Sequence, residues 1–317
     1  MKKLHIVAIV ALLAIVAGVM IYTKNNSSEL FIIREPVPPA PIAATWQVER
    51  TFPTDAPNSI TAIAFPMTAD GPLAIAAADR VAVLAYGTVV PMGGEPMTFP
   101  EPPKCLAFSE DGKTLAVGFR NSVRIFVDAD HDKTVSLGKR ANICGIAIRN
   151  GALYVTDFSD RRLVKFDIET GEMVGEFRDK NGFRIPSPNF AVASSHEGIW
   201  VVNPGRQRLV LLSDDLNILR SFERTVSETE DPFFDFFGCC NPSYIATLPD
   251  GHIVTSEKGV APRIKVYKPD GKFDSLVLTL PGTNTRNGAT PWPIATDNKG
   301  RIHVVNGTSI HIFMPVE

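Results

Sequence analysis

The chain is 317 residues long, 44% hydrophobic and 21% charged, with a formal charge of −2. Setting aside Lys2 and Lys3 takes that balance to −4, which argues against general nucleic-acid affinity, because phosphate binding needs a concentrated basic surface. The length allows one large all-β domain after the N-terminal segments.

From the N-terminus, Lys2 and Lys3 precede an apolar run, Leu4 to Tyr22, interrupted only by His5 at its edge. At ~1.5 Å per residue the run covers about 28 Å, close to the ~30 Å hydrocarbon core of a bilayer. Its exit, Gly18-Val-Met-Ile-Tyr-Thr-Lys, lacks the A-x-A-like site of a cleaved signal peptide. Residues 1–22 are therefore expected to form an uncleaved signal-anchor transmembrane helix, with a cleaved signal as the alternative. The two lysines hold the N-terminus in the cytoplasm. The expected location is the cytoplasmic (inner) membrane, single-pass, with everything after about residue 23 on the extracytoplasmic side. Residues 23–45 are polar and then proline-rich, and are expected to form an extended, semi-rigid linker.

Within the expected domain, residues 46–317, one pattern recurs six times between about residue 60 and the C-terminus: an apolar stretch centred on Ala, a polar turn, an apolar strand, a short gap and another apolar strand. The clearest copies span 142–174, 241–273 and 291–313. The aligned alanines are Ala64, Ala107, Ala147, Ala191, Ala246 and Ala295. A period of roughly 40–50 residues with about four short strands per unit is the mark of propeller blades. Leu153-Tyr-Val-Thr-Asp and Leu163-Val-Lys-Phe-Asp alternate with the two-residue period of strands. The fold class is all-β, a six-bladed β-propeller, with blades expected at 58–97, 98–138, 139–182, 183–225, 226–284 and 285–317. Trp46 to Phe52 reads as a lone strand before the first repeat, while the last repeat has only three. Residues 46–52 are expected to complete the sixth blade, which removes the open edge of a linear array.

The residues GIAI, NGALYVTD, RRLVKFD and TGE of the third repeat resemble an NHL repeat, the unit of many six-bladed propellers. The likeness is strong in the third, fifth and sixth repeats and weak in the first two. GCCNPSYIATLPDGHIVTSEKG (238–259) is similar to a motif of exported bacterial NHL-type proteins of undefined activity. In such a propeller the first strand of each blade lines the channel, and its preceding loop shares a face with the loop between strands two and three.

On that geometry all four cysteines, Cys105, Cys144, Cys239 and Cys240, fall at the entrance of a channel-lining strand. In an exported domain they read as structural disulfides or buried thiols, as a thiolate site for a transition metal, or as a vicinal disulfide platform. Asn142, Asn189, Asn241 and Glu257, beside Lys258, form an oxygen set resembling that of calcium-dependent lactonase-like propellers. The competing reading gives these Asn residues to Asx-turns. Arg120, Arg161, Arg162, Arg206, Arg208, Lys258 and Arg263 lie in or beside the loops between second and third strands. There they either grip an anionic ligand or acidic partner or serve solvation and local pairing. Glu223 to Pro242 lengthens one connection; it begins acidic and continues with Phe233, Phe234, Phe236 and Phe237, a lid or docking patch or else a plug packed on a neighbouring blade.

With no catalytic triad or cofactor fingerprint, the expected function is a membrane-anchored binding or scaffold module in a redox or envelope assembly. It would take a protein or small anionic ligand on the channel face and no nucleic acid. The alternatives are a calcium-dependent lactonase-like hydrolase and a cysteine-based metal or redox protein.

Overall fold

The alternating repeats fold into six four-stranded antiparallel sheets in the computed structural model. It describes residues 45–53, 60–67, 71–84, 96–128, 130–223, 236, 240–259, 262–279 and 291–316. The expected anchor (1–22) and linker (23–45, except Thr45) lie outside them. Among the described residues no helix is long and apolar enough to cross a membrane.

The chain opens with β1 (Trp46–Pro53). Blade 1 then comprises β2 (Ile60–Ala64), β3 (Leu73–Ala77), β4 (Arg80–Leu84) and β5 (Met97–Thr98). Blade 2 is β6 (Cys105–Phe108), β7 (Thr114–Gly118), β8 (Ser122–Val127) and β9 (Asp130–Ser136). Blade 3 is β10 (Ile143–Arg149), β11 (Ala152–Asp157), β12 (Arg162–Asp167) and β13 (Met173–Phe177). Blade 4 is β14 (Val192–Ser195), β15 (Gly198–Asn203), β16 (Arg208–Leu212) and β17 (Ile218–Glu223). Blade 5 is β18 (Tyr244–Thr247), β19 (Ile253–Glu257), β20 (Arg263–Tyr267) and β21 (Phe273–Thr279). Blade 6 holds β22 (Ile294–Thr296), β23 (Ile302–Asn306) and β24 (Ser309–Pro315), and takes β1 as its outer strand. The inner strands β2, β6, β10, β14, β18 and β22 touch in cyclic order, the last returning to the first.

Period two explains why sheets stack as blades. Along β10, Ile146 and Ile148 join the apolar cluster against blade 2, while Ala147 between them joins the cluster against blade 4. Each of the six blade-to-blade interfaces has its own apolar cluster, including the one between blades 6 and 1. A Val or Leu fully buried there contributes roughly 1.5–3 kcal/mol. The core is thus a ring of interfaces around a channel.

One register differs from the sequence reading. The channel is lined by the triplets Leu106-Ala107-Phe108, Ile146-Ala147-Ile148, Val192-Ala193-Ser194 and their counterparts in the other blades. Ala193 pairs with Trp200 on β15 as Ala147 pairs with Tyr154 on β11. The fourth aligned alanine is therefore Ala193, not Ala191, which precedes β14. Ala191 and Ala193 are two residues apart and share one phase of a period-two strand, so alternation alone does not choose between the two registers.

Candidate functional site

Cys105 at the start of β6 lies opposite Gly118 at the end of β7, and Ile143 of β10 lies opposite Asp157 of β11. Loops entering the inner strands and loops between second and third strands therefore share one face, here the entrance face. The turns after the inner strands and those after the third strands make the exit face.

At the entrance of blade 3, Lys104 reaches across from blade 2 and donates to Asn142 Oδ1 at 2.6 Å and to the Ile143 carbonyl. The Asn142 N–H donates to Asp157 Oδ1 at 3.0 Å. Asp157 is fully buried, with Arg162 Nε 3.7 Å from its other oxygen. In blade 5, Asn241 clasps the chain at Lys258: its Nδ2 donates to the Lys258 carbonyl at 2.7 Å, and its Oδ1 accepts the Lys258 N–H at 2.9 Å. Lys258 Nζ then reaches Ser187 Oγ at 3.0 Å. Asn189 donates to Ser187 Oγ and Ser243 Oγ at 3.3 and 3.4 Å.

Glu257 sits deeper. Its carboxylate accepts from Lys265 Nζ at 3.1 Å and from the Tyr267 hydroxyl at 3.3 Å, with Lys265 0% and Glu257 1% exposed. The four oxygen residues named from sequence thus meet partners of their own, and lysine ammonium groups stand at Asn142 and Glu257, where a calcium ion would need the oxygens. Asn142 and Asn241 lie five residues before their alanines, and the corrected register puts Asn189 four before Ala193. The recurrence serves loop closure: Asn142 and Asn241 each tie an inner-strand entrance to its neighbouring loop.

Cys105 and Cys144 are free thiols. Cys105 packs between blades 2 and 3, its Sγ filling the space that a Cβ on Gly118 would take. Burial, reinforced by Cys144 and opposed by Lys104, pushes its pKa up to about 12. Cys144 turns the other way, toward the interface of blades 3 and 4, because the bulge between Ile143 and Gly145 reverses its side. Burial raises Cys144 to about 11 against the pull of Lys104. Cys240 is buried beside the Asn241 clasp, with φ +71. Cys239 lies outside the described residues, and among those described no three His, Cys, Asp or Glu side chains gather as a metal site. At pH 8 a thiol of pKa near 12 is thiolate to about one part in ten thousand, and the thiolate is the nucleophile. Native protein should therefore leave Cys105 unalkylated by iodoacetamide over hours at pH 8, whereas unfolding in guanidinium should expose it within minutes. Peptide mass mapping checks this, and rapid native labelling of Cys105 would overturn the buried-thiol assignment.

The basic residues divide. Arg162 pairs with Asp160 and Glu176, and Arg208 with buried Asp179. Arg263 is buried, and Arg206 donates to the carbonyls of Asn181 and Gly182. Arg120 and Arg161 are exposed, and neither bonds through its guanidinium among the described residues. Of the aromatic loop, Phe236 is described: it is 2% exposed and packs between blades 4 and 5 against Phe222 and Tyr267. Phe233, Phe234 and Phe237 lie outside the described residues.

Sequence reasoning missed the hydroxyls that rivet neighbouring inner strands. Thr247 donates to the Ser194 carbonyl at 2.6 Å, and Thr296 to the Thr247 carbonyl at 2.6 Å. Thr156 reaches the Phe190 carbonyl, and Thr61 the Pro103 carbonyl at 3.3 Å. The repeated Ile-Ala-Thr of blades 5 and 6 was the available signal. The channel encloses a cavity of about 490 Å³ that opens on the exit face past Met67, Glu110, His196 and Asn298.

No protein-family profile and no curated protein matches the sequence. Among solved structures the chain is similar to the RRP9 WD40 repeats, at 17% identity over 88% of this chain and 99% of that one, with a TM-score of 0.54. It is similar also to U3-55K, at 18% identity over 87% and 100% of the two chains, with a TM-score of 0.52. At these identities the likeness shows the fold alone, a β-propeller.

Proposed function

We propose that this protein is a membrane-anchored, extracytoplasmic propeller of NHL type that works as a binding or scaffold module in an envelope or redox assembly. One observation carries the reading. On the entrance face most groups able to do chemistry (Asp157, Asn241, Glu257, Cys105 and Cys240) are buried, while the exposed groups are charged loop side chains suited to recognition. Propellers host enzymes and interaction platforms alike, so the assignment rests on the site and not on the fold.

The test is topology followed by association. Full-length protein in a Gram-negative host should stay in the membrane pellet after alkaline carbonate, and protease added to spheroplasts should digest residues 46–317. Release by carbonate removes the anchor, and protection from protease removes the extracytoplasmic placement. A photo-crosslinker at Arg161, on the entrance face, should give a discrete adduct that an inert loop would not.

A further inference from the structure

The net charge of −2 conceals a separation between the two faces. On the entrance face of blades 2 to 4, Arg120, Lys139, Arg140, Arg161, Lys180 and Arg184 are exposed. None of the six has a carboxylate within ion-pair distance among the described residues. Hydrogen bonds between and within the loops make them one surface. The Arg120 loop bonds the chain after Lys139 and Arg140 through Ile143 N–H to the Arg120 carbonyl at 2.7 Å. The Phe158 N–H meets the Asn142 carbonyl at 2.9 Å, which brings in the Arg161 loop. Arg178 donates to the Asp160 carbonyl at 2.8 Å, and Gly205 N–H to the Arg184 carbonyl at 2.8 Å. The exit face is the reverse: Glu110, Asp128, Asp130, Glu169, Glu172 and Asp215 are exposed there, with fewer lysines among them.

We propose that the basic crescent of blades 2 to 4 docks an acidic, extended polypeptide segment of a partner protein. This rests on the binding-module reading and names the partner's chemistry. Four of the six cations are arginines, whose fork pairs bidentately with carboxylates. A single-stranded nucleic acid would want stacking platforms, and no exposed aromatic ring stands in these loops. The acidic exit face repels the same segment, so the partner is steered to one side of the disc.

The experiment uses the full chain in neutral detergent and fluorescein-labelled deca-glutamate, long enough when extended, about 33 Å, to reach several loops. Saturable binding is expected, weakening steeply with salt. The triple variant R120E/R140E/R161E should bind at least about tenfold more weakly, whereas E169K/E172K/D215K should bind no more weakly than the parent. Equal binding by the first variant, or none by the parent, overturns the proposal. So does tighter binding of polyphosphate or phosphatidylglycerol vesicles at equal charge, which would assign the crescent to phosphate. Photo-crosslinkers at Arg161 and at Glu169 separate this failure from that of the parent reading. Adducts from Glu169 alone keep a binding module and discard the crescent; adducts from neither discard both.

Discussion

Replacing Glu257 by Gln should destabilise the propeller by about 3–5 kcal/mol, because it takes the carboxylate charge away from the Lys265 ammonium in a site with no exposure. The geometry explains the size of the effect. Glu257 ends β19 and Lys265 lies on β20, where Glu257 pairs with Arg263, so the two side chains meet diagonally on one face. The Tyr267 hydroxyl supports the carboxylate from the same strand. The pair itself is a weaker source of stability than its disruption suggests, since desolvating two ions offsets most of their attraction. Glu257→Leu combined with Lys265→Met should therefore recover to within about 1 kcal/mol of the parent. Guanidinium denaturation of the three proteins decides the matter. A single variant losing less than about 1 kcal/mol would mean that Lys265 finds another partner, and the arrangement described here would be wrong.

Phe236→Ala should cost about 3–5 kcal/mol, as a large aromatic lost from a closed core does. Phe236 stacks near Phe222 with ring centroids 6.1 Å apart and tilts over Tyr267 at 5.1 Å. Trp200 and Phe273 extend the same aromatic wall between blades 4 and 5. The cavity left by truncation would border Tyr267, and through it the Glu257 carboxylate, so the two sites should couple. A double-mutant cycle with Glu257→Gln should depart from additivity by more than about 0.5 kcal/mol. Phe236→Leu should retain most of the stability. If Phe236→Ala unfolds at the parent's denaturant midpoint, the ring belongs to a loose surface segment instead.

Much of this architecture was legible because it follows from local rules. Six Ala-centred stretches at propeller spacing marked the inner strands, and the isolated Trp46 to Phe52 segment matched the missing strand of the last repeat. The register of blade 4 was not, because Ala191 and Ala193 fit the same alternation. Side-chain partnerships were harder. Glu257 looked like a channel ligand, since nothing in its neighbourhood announced that Lys265, eight residues on, would turn inward to meet it. Lys104 and Asn142 lie 38 residues apart and belong to different blades. The seven basic residues grouped from sequence were a mixture of spent and exposed charges. Telling them apart required the positions of Asp157, Asp179 and Glu176, which only the closed ring provides. The charge separation between faces was hidden by a net charge that sums over both.

The closure of the ring has a mechanical side. β1 is held by seven cross-strand pairs, from Trp46 opposite Pro315 to Pro53 opposite Ser309, and the Thr45 carbonyl accepts the Val316 N–H at 2.8 Å. A pull on Trp46 directed along the strand axis would load β1 lengthwise against β24, so that the rungs share the load in shear instead of being peeled one after another. The strand that closes the disc is thus also the one that such a pull would load.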